Sequence, residues 1–194
     1  MTNMNKAPLA NSSRTLAHVA LFAALIAAMG MIPKIDLPFG VPITLQTLGV
    51  MMAGCLLGAR RGFFAVGLFL LAVALGMPLL SGGRGGLGVF VAPSAGFLIG
   101  WPFGAAASGF VMRRLSHLRG RALLAGAFVS ALVGGVGVVY AFGIAGLALI
   151  AKFSLQHAAL ASAMFVPGDL LKCAVCAVVV QTVVRGLPHW RLVE

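Results

Sequence analysis

The chain carries three acidic residues, and one of them, Asp169, lies inside an apolar stretch with a lysine three positions on, in PGDLLKC (residues 167 to 173). On a helix that spacing makes Asp169 and Lys172 neighbours on one face. Pro167 suits the first turn of such a helix, so Asp169 would stand where the helix dipole favours an anion. At membrane depth a charge costs about 2.5–3.5 kcal/mol on insertion scales, which makes each one a functional candidate. A self-neutralising structural pair is the plainer alternative. It would still carry a desolvation cost that apolar packing avoids. A carboxylate beside an ammonium suits a ligand offering both N–H donors and an acceptor, such as an amide, a urea or an amino acid.

Arg84 stands in SGGRGGLGVFVAP (residues 81 to 93), between two long apolar runs. A phosphate-binding loop would follow a strand and open a helix with its amides aimed at the anion. Here the glycines join two apolar spans instead, which fits a loop closing over a pocket mouth. Thr44, Gln46 and Thr47 fall in VPITLQTLG, where Pro38 and Pro42 make the backbone irregular. Irregular backbone at membrane depth is tolerated where it lines a cavity or is buried in protein. Gln46 fits a helix-packing hydrogen bond and a ligand contact equally. Trp101 and Tyr140 fit either a membrane-interface belt or a pocket wall. His18, His117, His157 and His189 lie near span ends or in loops and read as solvated.

Catalytic and metal constellations are absent from the sequence. Asp36 lies in a loop and Glu194 at the end of the chain, so no carboxylate dyad can form within the bundle. HExxH, Walker A and GxSxG do not occur. Cys173-x-x-Cys176 lacks the second pair or histidines of a zinc site, and with Cys55 these read as buried free thiols.

These residues must be held by elements suited to lipid. Of 194 residues 61% are hydrophobic and only 9% charged, with a mean hydropathy of +1.08; soluble domains carry about a quarter charged residues. A span needs roughly 17–25 apolar residues, and the chain offers six candidates: Thr15–Ile32, Leu45–Gly58, Phe63–Leu80, Ser94–Met112, Ala122–Leu149 and Pro167–Val184. Ten of the 14 basic residues fall on one side of that layout: Arg60 and Arg61, four in RRLSHLRGR (113 to 121), and Lys6, Arg14, Arg185 and Arg191 in the tails. Basic loops stay cytoplasmic, so both termini are expected inside, and the Asp169–Lys172 pair about one turn below the outer surface. The expected fold is all-α and polytopic, with tails at 1–14 and 186–194 flanking a membrane domain at 15–185. The charge of +11 is spread through these loops, without the clustered soluble face and stacking aromatics of nucleic-acid binding. In the first span Ala20, Ala24 and Ala28 share a face, and small residues mark close helix packing, within the chain or with a partner.

Three stretches resemble the BioY family, the biotin-binding S components of energy-coupling-factor (ECF) transporters: VPITLQTLGVMMAG (41 to 54), GMPLLSGGRGGLGVFVAPSAGFLIG (76 to 100) and VPGDLLKCAV (166 to 175). The resemblance implies a six-helix module of the cytoplasmic membrane that captures biotin from outside. It implies a transmembrane T component and two ABC-type ATPases as partners, with ATP used only there and no cofactor in this chain. Ala20, Ala24 and Ala28 become T-component contacts. Asp169, Lys172, Arg84, Gln46 and Thr44 become substrate contacts, with Arg84 facing the valerate carboxylate. Some family members work without the energising module, so a stand-alone secondary transporter or facilitator is the alternative.

Overall fold

A computed structural model describes residues 7–36 and 40–187 of the chain. Residues 1–6, 37–39 and 188–194, with Lys6, Pro38, His189, Arg191 and Glu194, lie outside the described residues.

Eight α-helices run through the described part: α1 Ala7–Met29, α2 Gln46–Leu57, α3 Ala59–Ala74, α4 Ala95–Arg114, α5 Gly120–Ala131, α6 Val139–Ile150, α7 Leu155–Ala163 and α8 Val166–Gly186. A π-helical segment, Leu132–Val138, joins α5 to α6 without a break. The continuous Gly120–Ile150 run, α4 and α8 are each long and apolar enough to cross a membrane, while Ser13–Met29 and α2 are shorter apolar helices. No strand occurs among the described residues; two isolated antiparallel bridges pin the loops, Ile35 to Ile43 and Leu80 to Arg84.

The second, fourth, fifth and sixth expected spans match α2, α4, the α5–α6 run and α8 closely, and the first and third are displaced. α1 starts within the expected tail, with Pro8 in its first turn, a position where proline is tolerated. α3 begins and ends several residues early. Gly58, at φ 86°, makes a corner sharp enough for α3 to start at the next residue, because a left-handed backbone costs glycine little. Arg60 and Arg61 therefore sit in its first turn. At the far end Gly76, at φ 100°, and Pro78 stop the helix, leaving residues 75–94 without an α-helix and with one 3-10 turn at Leu87–Phe90. α7 was not expected: Ser154 caps it by accepting from the His157 backbone N–H at 3.2 Å.

α4 is the central helix. Two-thirds of its apolar window (67%) is buried, against 28% for α8. It can approach its neighbours closely because its contact faces are glycine-rich. Where α4 crosses α6, Gly96 faces Gly146, and a Cβ added to Gly146 would stand 2.5 Å from the Gly96 Cα. Close backbone approach of this kind supplies the dispersion contact that holds helices together in lipid. The bundle has two ends: one carries the connections at 30–36, 40–45 and 75–94 and the short helix α7, the other the arginine-rich turns at 58–61 and 113–121.

Replacing Gly146 by leucine should push α4 and α6 apart. Overpacking typically costs about 1–3 kcal/mol, so the purified Gly146→Leu variant should melt several degrees lower. An unchanged melting curve would show that the crossing tolerates a side chain.

Candidate functional site

Burying a carboxylate requires donors around it, and three helices supply them at the loop end of the bundle. Pro167 opens α8, which places Asp169 in its first turn and Lys172 one turn on. Lys172 Nζ donates to Asp169 Oδ1 at 2.8 Å and to Thr47 Oγ1 of α2 at 2.9 Å. Thr47 Oγ1 in turn donates to Asp169 Oδ1 at 3.4 Å. Tyr140 of α6 donates its hydroxyl to Asp169 Oδ2 at 2.7 Å. The side chains of Asp169 and Lys172 are 6% and 11% exposed, so the pair is buried as expected. It is not closed on itself. A carboxylate has about four acceptor sites and an ammonium three donors, so about one acceptor site and one N–H are left for a further partner.

Tyr140 reaches Asp169 because of the π segment. An extra residue in a helix turn rotates the side chains beyond it, and such bulges concentrate at functional sites. Leu132–Val138 ends immediately before Val139 and Tyr140, and both line a cavity open at its mouth. Ligand sites are mostly apolar clefts with a few placed polar groups. The apolar wall here is an edge-to-face trio: Phe97 lies 6.2 Å from Tyr140 and 5.7 Å from Phe165, and Tyr140 lies 6.5 Å from Phe165, between ring centroids. Trp101 continues that wall, stacked on Phe69 with centroids 6.1 Å apart.

All five expected substrate contacts line this cavity: Thr44, Gln46, Arg84, Asp169 and Lys172. Arg84 is held there by a tight turn. Leu80 and Arg84 exchange backbone hydrogen bonds at 3.0 and 3.2 Å, across Gly82 and Gly83 at φ 80° and 70°. Its guanidinium makes only long contacts, to the Ser81 carbonyl at 3.4 Å and to Ser94 Oγ at 3.5 Å. Lys34 pairs with Asp36 and Lys172 with Asp169, so no carboxylate among the described residues serves Arg84.

Gln46 has the packing role among its two readings. Its amide donates to the Ile26 and Leu79 carbonyls, both at 3.1 Å, and its oxygen accepts from the Ser81 N–H at 3.1 Å and the Ser81 hydroxyl at 3.4 Å. It is fully buried and has no hydrogen-bonding group to spare. Ala20, Ala24 and Ala28 lie exposed on α1, opposite Val19, Phe22, Ala23 and Ile26, which are buried. Packing among the described residues therefore does not use that face. The three cysteines are free and buried. His117 and His157 are exposed, while His18 is partly buried. Among the described residues no cluster of metal-ligating side chains occurs.

The BioY family model matches residues 2–189. The chain belongs to the BioY family. The biotin transporter BioY of Rhizobium etli is 49% identical over 180 residues, covering 91% of this chain and 96% of the relative. That of Rhodobacter capsulatus is 47% identical over 184 residues, covering 90% and 95%. Among solved structures, the crystal structure at 2.1 Å of the S-component for biotin from an ECF-type ABC transporter superposes with a TM-score of 0.84. It is 33% identical, and the match covers 95% of both chains.

Sequence reasoning gave Thr47 no contact, passed over Phe165 and left Tyr140 open. One signal for Tyr140 was present: it is the only tyrosine in the chain, and the span around it is otherwise apolar.

Substituting Gln46 by leucine would strand the Ile26 and Leu79 carbonyls and both Ser81 donors. A stranded buried polar group costs about 1–3 kcal/mol. Gln46→Leu should therefore melt well below wild type and show faster amide exchange at Ser81, without any ligand present. Wild-type protection at Ser81 would remove the structural role assigned to Gln46.

Proposed function

We propose that this chain is the biotin-binding S component of an ECF-type ABC transporter and takes up biotin across the cytoplasmic membrane. The carrying observation is one apolar cavity holding two complementary polar centres. Asp169 and Lys172 retain an acceptor site and an N–H; Arg84 has no carboxylate of its own among the described residues. Biotin offers a ureido group, with N–H donors and a carbonyl, on an otherwise apolar ring system, and a carboxylate at the end of a valerate chain. Asp169 accepts from a ureido N–H. Arg84, at the loop end, pairs with the carboxylate, where a guanidinium can make two parallel bonds. Thr44 adds a hydroxyl at the same rim, and Gln46 holds the wall that both loops share. The glycine-rich loop acts as a lid over the mouth.

The BioY relatives and the solved biotin S-component support this reading along most of the chain. The protein acts as a transporter component rather than an enzyme. It crosses the membrane six times, with α1, α2, α3, α4, the α5–α6 run and α8 as spans and both termini in the cytoplasm. The arginine-rich turns at one end support that orientation. The exposed alanines of α1 form the docking face for a T component, which links the S component to two ATPases.

Binding and uptake measurements test the assignment. Asp169→Asn should weaken biotin binding about tenfold or more, as expected for a lost hydrogen bond to a charged group of about 1.5–3 kcal/mol. Arg84→Ala should weaken biotin strongly and biotin amide little; equal losses would remove the carboxylate role. Wild-type protein without calorimetric biotin binding would overturn the function. In a biotin-auxotrophic host, uptake should need the energising subunits, and uptake without them would favour a stand-alone transporter.

A further inference from the structure

Two buried side-chain polar atoms lack a hydrogen-bond partner among the described residues, Ser108 Oγ and Trp101 Nε1. Ser108 is packed between helices, where a Cβ on Gly54 would approach its own Cβ at 2.7 Å, and it does not line the cavity. Trp101 does. Its side chain is 4% exposed, so its indole N–H is withdrawn from water and bonded to nothing among the described residues. An unmade buried hydrogen bond is unfavourable, and native structures leave few of them.

The geometry gives that N–H a direction. Helical side chains lie over the turn N-terminal to their own Cα. For Trp101 that turn holds Phe97 and Leu98, which line the same cavity. On another side the ring stacks on Phe69, at 29° between planes, and Phe69 is not in the cavity wall. The stack fixes the ring plane and offers the N–H no acceptor. In depth, Trp101 lies seven residues along α4 from Ser94, about 10 Å at 1.5 Å per residue. Ser94 is the residue that Arg84 approaches. The flanking Gly100 and Gly104 pack on Val139, the residue before Tyr140, so Trp101 lies at the level of the Tyr140–Asp169 contact.

We propose that Trp101 is a ligand-binding residue at the inner end of the cavity, its Nε1–H donating a hydrogen bond to the ureido carbonyl oxygen of biotin. This rests on the biotin reading above and deepens it. With the carboxylate held by Arg84 at the mouth, the fused rings lie at Trp101's depth. The ureido carbonyl is their strongest acceptor. Asp169 cannot serve it, having only acceptor sites as a carboxylate. A carbonyl oxygen has two acceptor sites, so the N–H left on Lys172 and that of Trp101 can both be satisfied there. Trp101 and Asp169 thus read opposite parts of one ureido group, the carbonyl and an N–H.

Trp101→Phe keeps an aromatic ring on Phe69 and removes only the N–H and the ring's outer part. It should weaken biotin about five- to tenfold, the range of one neutral hydrogen bond. It should weaken protonated 2-iminobiotin, whose guanidinium has no acceptor, less than twofold. Equal losses for both ligands would leave Trp101 a role in shape alone and overturn the proposal. A second measurement uses unsubstituted Trp101. In protein labelled with 15N-tryptophan, with Trp190→Phe to assign the indole signals, biotin should move the Trp101 indole proton downfield. An unmoved signal at saturating biotin would overturn the proposal. Absence of any biotin binding by wild type would overturn the functional reading and this one together, whereas the other two failures reject the Trp101 contact alone.

Discussion

Asp169 accepts hydrogen bonds from Lys172, Thr47 and Tyr140, side chains delivered by α8, α2 and α6. A carboxylate inside a helix bundle is tolerable only when so surrounded, and each donor constrains the helix that carries it. α8 must start at Pro167 for Asp169 to fall in its first turn. α2 must begin near Gln46 for Thr47 to face α8. The α5–α6 run must be out of register with an ordinary α-helix for Tyr140 to turn inward, which the π segment accomplishes. The helix order is thus tied at the site itself. A loss of any one donor would leave charge incompletely satisfied in a place where water is scarce.

Around that cluster the bundle uses two devices suited to lipid. Glycines at helix crossings let backbones meet, as Gly96 and Gly146 do, because apolar surface by itself gives no preference for protein over lipid. Buried amides then tie the irregular segments to the helices. Gln46 joins the end of α1, the start of α2 and the loop at Leu79–Ser81, so the loop carrying Arg84 is anchored at one side of the cavity mouth. The anchoring lies at Ser81, and the positive-φ glycines come directly after it. The contact that anchors the loop and the glycines that turn it are therefore adjacent.

What could be read in the sequence came from composition and from charges in apolar surroundings. The helical, lipid-facing character and the Asp169–Lys172 pair were legible because a charge at membrane depth is rare enough to stand out. Arg84 was legible as the one basic residue of a glycine-rich loop between two apolar runs. The ends of α3 were not, since the Gly58 corner and the Gly76 stop depend on positive φ values that composition does not announce. The π segment was equally hidden: LVGGVGV reads as an ordinary run of apolar and small residues. Without it, the rotation that points Tyr140 at Asp169 could not be inferred. Gln46 had two fitting roles, and only the positions of Ile26, Leu79 and Ser81 in space decide between them. The resemblance to the BioY family named the site residues more completely than pattern alone. It did not separate those that touch a ligand from those that hold the wall.

The balance of charge in the cavity bears on how the loop would behave. Asp169 and Lys172 cancel, so Arg84 leaves the lining with one net positive charge. In a poorly solvated cleft such a charge attracts an anion strongly, and a ligand carrying one carboxylate renders the whole assembly neutral. A ligand without the carboxylate could satisfy the inner cluster but would leave the guanidinium uncompensated under a closed loop. If the loop closes as proposed, the anionic ligand in particular would favour closure, because burying a paired charge costs far less than burying a lone one. On the proposed reading, the inner polar cluster would recognise the ring and the loop arginine would make closure conditional on the tail.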